Sequence, residues 1–104
     1  MNAMLTAHYP GHQTRAVIQH FTSPDLPPRH PTVQELGSIT VPDGAGYLTV
    51  FLFKIPDADV AAAVRAQMQR SAYLLSRVEG LTLEMHVGTS VEEGIPLFLS
   101  AVGK

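Results

Sequence analysis

Hydrophobic and polar positions change period several times along this chain, and each change marks an element. Met4–Tyr9 (MLTAHY) alternates and ends at Pro10-Gly11, a strong turn signal, which predicts a first strand. Gln13–Phe21 sets Ala16, Val17, Ile18 and Phe21 on a broad helical stripe that stops before Ser23-Pro24. The following SPDLPPRHP holds four prolines in nine residues, so it predicts a stiff, extended connection with few donors for a sheet.

Val33–Val41 reads as a second strand, with Gly37 placed to make a bulge. Pro42-Asp43-Gly44 is turn chemistry, and Tyr47–Ile55 (YLTVFLFKI) is filled almost end to end with aromatic and branched residues. Together they predict a hairpin with a longish, glycine-rich loop. A helix follows, capped by Asp57 or Asp59 and burying Val60, Val64, Met68, Leu75 and Val78 over about five turns before Gly80. Leu81–Val87 alternates cleanly as a last strand. Ser90 and Glu93 fit a capping box for a short C-terminal helix, against the resistance of Gly94 and Pro96.

The order βαββαβ predicts one α+β domain over 1–104, with a helix or tail from about 90. It is the ferredoxin-like arrangement: a four-stranded antiparallel sheet in the order 4-1-3-2, with both helices on one face. The other face stays bare in a monomer. Strand alternation then sorts side chains onto that open face. From the first strand come Thr6 and His8, and from the last Thr82, Glu84 and His86. Tyr47, Thr49, Phe51 and Phe53 are assigned to it from the third, with Leu48, Val50 and Leu52 beneath the helices. Aromatics so placed call for a cover, and a second subunit is the simplest one.

Composition narrows the partners. A net charge of −2 with only 7 Lys plus Arg lacks the basic footprint of a phosphate-backbone binder, so no nucleic acid is expected. The absence of cysteine excludes disulfides, thiolate metal sites and cysteine nucleophiles. No apolar run approaches the roughly 20 residues of a membrane span, and the start carries no signal-peptide pattern. The expectation is a cytoplasmic protein without a membrane or cofactor.

Among five histidines, His12, His20 and His30 fall on a turn, a helix flank and the proline loop, where no role is expected. His8 and His86 share the open face with Glu84, so one imidazole oriented by a carboxylate is a candidate general base. The same three groups are chemically apt for a metal, but no local ligand motif accompanies them and none is expected. The competing reading makes both histidines hydrogen-bonding groups in a dimer interface. Arg65, Arg70 and Arg77 are expected in solvent.

The order of elements, with LGSITVPDGAGYLTVFLF for the hairpin and LTLEMHVGTS for the last strand, resembles the dimeric α/β-barrel superfamily, and its small uncharacterised bacterial members in particular. That resemblance implies a homodimer with facing sheets. It also implies a pocket for a small hydrophobic or aromatic molecule, as used by cofactor-independent cyclases, isomerases and monooxygenases. Tyr47, Thr49, Phe51 and Phe53 would line the pocket, and His8, His86 and Glu84 would move protons. The Asn/Trp/His set of the quinol monooxygenases is missing, so whether the chain is an enzyme stays open. The alternative is a non-catalytic dimerisation or stress-type domain with no ligand.

Overall fold

Residues 1–103 are described by a computed structural model; Lys104, the last residue of the expected tail, lies outside them. The strands are β1 (Asn2–Pro10), β2 (Gln34–Asp43), β3 (Gly46–Lys54) and β4 (Thr82–Gly88); the helices are α1 (Thr14–Phe21), α2 (Val60–Leu75) and α3 (Val91–Val102). All strand pairs are antiparallel, in the order β2-β3-β1-β4. Read from the opposite edge, this is the expected 4-1-3-2.

The hairpin is tighter than its composition suggested. Asp43 pairs with Gly46 across only Gly44 and Ala45, and Gly44 has φ +61°, the conformation a two-residue turn of this kind reserves for glycine. Gly46 is needed for a different reason. A Cβ there would lie 2.1 Å from the Tyr9 carbonyl oxygen, because Pro10 and Gly46 pair at close range. The bulge anticipated at Gly37 is present as a register shift between Glu35 and Gly37.

On β1, Ala3, Leu5, Ala7 and Tyr9 are buried, which fixes the helix side of the sheet. One core cluster joins Ala7, Tyr9 and Leu81 to Val17 of α1 and to Leu74 and Val78 around the end of α2. A second joins Ala3, Leu5, Phe53 and Ile55 to Ala63. The proline-rich segment belongs to this layer as well, since Leu26 packs on the first cluster and Val33 on the second.

The buried stripe of α2 matches the expected one in part, with Val60 packed on the second cluster and Val78 buried, and departs from it elsewhere. Ala63, Gln67 and Leu74 face the sheet, while Met68 is 66% exposed and Leu75 is also exposed. The small Ala63 allows α2 to approach the sheet closely, and the rotation that seats it turns Met68 outward. Gln67 is tolerated inside because its amide donates to the Ser71 hydroxyl at 3.1 Å. Ile18 of the α1 stripe is likewise exposed.

Asp59 holds the N-cap position of α2, but neither its carboxylate nor that of Asp57 accepts a capping hydrogen bond from the helix. Asp57 accepts from the Met1 amino group at 2.7 Å, and Asp59 from the Thr32 hydroxyl at 2.8 Å, so both carboxylates tie down other segments instead. At α3 the Ser90 cap is formed, its hydroxyl accepting from the Glu93 amide at 3.1 Å, and the helix runs twelve residues despite Pro96.

Candidate functional site

The register of β1 against its neighbours decides what the open face carries. Leu5 lies opposite Phe51 on one side and Met85 on the other; Thr6 lies opposite Val50 and Glu84. Directly paired residues share a face. Thr6, His8, Thr82, Glu84 and His86 are therefore on the open side, as the alternation indicated.

The assignment for β3 is reversed. Thr49 pairs with Ala7, Phe51 with Leu5 and Phe53 with Ala3, so these residues point toward the helices. Phe53 is 2% exposed within the second core cluster, Phe51 packs against that cluster, and Tyr47 sits 5.9 Å from the buried Tyr9 ring. Leu48, Val50 and Leu52 stand on the open face in their place. The tight turn causes this: pairing Asp43 with Gly46 fixes the parity of every residue after it, and a one-residue slip would invert them all.

The open face thus has an aliphatic centre. Met4 of β1, Leu48, Val50 and Leu52 of β3, and Ile39 and Val41 of β2 form it, since Ile39 pairs with Val50 and Val41 with Leu48. The Gly37 bulge leaves a depression of about 220 Å³ beside Ile39, Val50 and Leu52. A larger cleft, about 510 Å³, lies where the first turn of α3 meets Met4, Leu52 and His86.

Polar groups stand at both ends of this centre. His8 Nε2 is 3.4 Å from Asp43 Oδ2, and His86 Nε2 is 3.6 Å from Glu84 Oε2; both pairs are substantially exposed. Glu84 stands beside His86, but the two histidines do not meet. His8 lies opposite Thr82 and His86 opposite Met4, four positions apart along β4, or roughly 13 Å at strand rise. Among the described residues no three His, Asp or Glu side chains are grouped to hold a metal. Asp43 is a partner the sequence reading missed, because His8 meets it across the intervening β3 strand rather than within a local motif.

On the helix side, a second feature comes from the proline segment. The Arg29 guanidinium lies 4.7 Å from the Phe53 ring centroid and 5.7 Å from that of Phe51, with its Nη1 3.7 Å from Glu35 Oε1. Its Nε is buried without a hydrogen-bond partner. Burial lowers the Arg29 pKa, opposed by Glu35. Arg70 is not free in solvent: its Nη1 donates to the Pro27 carbonyl at 3.1 Å. Burial, with the Arg29 charge added and Glu35 opposing, lowers its pKa to about 10. Arg77 stacks on Tyr73 at 3.7 Å.

Comparison with family models, with curated proteins and with solved structures finds no match to this chain. Among the described residues no helix is long and apolar enough to cross a membrane.

Proposed function

We propose that this chain is a ferredoxin-like domain of the dimeric-barrel kind, working as a homodimer that binds a small apolar molecule between two facing sheets. The observation that carries the reading is the aliphatic centre of Met4, Ile39, Val41, Leu48, Val50 and Leu52, bounded by polar pairs. An apolar surface bordered by a few placed polar groups suits both self-association and ligand enclosure.

The magnitudes support a modest interface. Covering roughly 300 Å² of apolar face on each protomer contributes about 15 kcal/mol at 25 cal/mol per Å². Association itself costs about 4–15 kcal/mol, so the sheet faces by themselves give at most a weak dimer. Two opposed Gly37 depressions would supply the binding space, with aliphatic rather than aromatic walls. His8, with Asp43 3.4 Å away, is the better candidate proton carrier, because a neighbouring carboxylate can orient its imidazole.

The separation of His8 from His86 favours a second reading, a dimer with no chemistry. Native mass spectrometry of the purified protein separates the two. A dimer that retains or takes up small apolar compounds, and loses them in Gly37→Leu, supports the pocket. A dimer that binds none from a broad panel of such compounds supports the association domain.

A further inference from the structure

Two apolar surfaces on this chain share one side-chain spacing, and no residue of the first lines the second. The first is α3. Val91, Ile95, Phe98 and Val102 follow a 4-3-4 spacing that puts them on one stripe, with Leu99 beside it and Leu97 on the far side. All six are between about half and three-quarters exposed. The second is a groove of about 400 Å³ between α2 and β4. Its α2 wall carries Val64, Met68, Ser71 and Leu75, again at 4-3-4 spacing, and its floor is Leu83 and Met85.

We infer that α3 of one protomer docks in the α2/β4 groove of a second copy, so that the dimer is clasped by exchanged C-terminal helices. This rests on the homodimer proposed above and names a contact that reading does not contain.

The chain's own α3 is poorly placed for its own groove. The first turn of α3 borders the cleft with Met4, Leu52 and His86, which are open-face residues. The groove, floored by Leu83 and Met85, is on the helix side, since these pair with Ala7 and Leu5. Only Thr89 and Ser90 join β4 to α3, too short a connection to carry the helix around the sheet edge. The molecule extends 50 Å along its longest axis against 19 Å along its shortest, with α3 making few contacts to the remainder.

The area is of the right size. The four stripe residues and Leu99, with roughly 100 Å² exposed each, give about 500 Å² from α3 alone, and a stable pair needs about 800 Å² per partner. The sheet face supplies the difference. Charge favours a protein groove over an anionic membrane surface: α3 has Glu92 and Glu93 and no basic residue between Val91 and Val102.

Because the chain has no cysteine, cross-linking can be read without background. Met68→Cys and Phe98→Cys are made in separate, differently tagged chains, mixed, and treated with a short bismaleimide. The expected product is a covalent heterodimer, absent when Arg65→Cys replaces Met68→Cys. In parallel, Phe98→Asp in the full chain should show a dimer dissociation constant at least tenfold higher. A dimer that gives no Met68–Phe98 adduct and is unaffected by Phe98→Asp overturns the clasp while leaving the sheet-face dimer standing. A single chain carrying both Met68→Cys and Phe98→Cys that cross-links only within itself assigns α3 to its own groove and overturns it too. So does a monomer that sediments with phosphatidylcholine/phosphatidylserine vesicles through α3. A chain monomeric at all concentrations without vesicles removes both proposals.

Discussion

Phe53 stands directly opposite Ala3 across the β1/β3 pair, and both are sealed beneath the helices. Its neighbour Leu52, one residue earlier, is 48% exposed on the other side of the same sheet. Two large apolar side chains in sequence thus have separate roles. Phe53→Ala should cost about 3–5 kcal/mol in chemical denaturation, the range for emptying an aromatic site in a core. Leu52→Ala should cost the protomer under about 1 kcal/mol and instead raise the concentration at which the dimer dissociates.

Gly46 tests the register itself. A methyl group at this position would strike the Tyr9 carbonyl, which is backbone and has no rotamer to yield. Gly46→Ala is therefore expected to destabilise by about 3 kcal/mol or more, while Gly37→Ala, which meets nothing within 4 Å, should stay within about 1 kcal/mol. Equal effects in thermal or urea unfolding would mean the β1/β3 pairing is wrong.

The order of strands and the faces of β1 and β4 were legible because their polar residues mark a parity. Thr6 and His8 on β1, and Thr82, Glu84 and His86 on β4, all declare the open side. β3 was misread because Leu48 to Phe53 is apolar at almost every position, so alternation says little. Lys54 was the usable signal, since it shares its parity with Leu48, Val50 and Leu52 and must reach water. For α2, apolar spacing alone could not choose between two stripes. Met68 and Leu75 looked like core, but the small Ala63 and the internally bonded Gln67 occupy the side that packs. The His8–Asp43 pair depends on strand register and was beyond any local pattern.

Glu35 is the counter-charge for two crowded guanidinium groups, raising the pKa of both Arg29 and Arg70 against their burial. Glu35→Gln should destabilise by about 1 kcal/mol at low salt, and the loss should shrink as ionic strength rises. No change at low salt would show that Glu35 does not act on this pair. The sign for Arg70 runs the other way from a stabilising ion pair. Its pKa is lowered on folding, so its charge opposes folding below about pH 10, and that opposition is relieved only as pH rises through 10.

His8 is exposed, and its contact with Asp43 is an exposed one. His8→Ala should change stability by no more than about 1 kcal/mol, as for other surface pairs. A loss above about 2 kcal/mol would assign His8 to the architecture and withdraw it as a proton carrier.

Sedimentation equilibrium, run on the full chain and on Leu52→Asp, tests most directly whether the open face is an interface. The account predicts a mass of twice the 11.2 kDa chain at micromolar concentration for the parent. For the variant, which places a carboxylate in the aliphatic centre, it predicts a folded monomer. A parent that sediments at 11.2 kDa throughout, or a variant that dimerises as tightly as the parent, would contradict it.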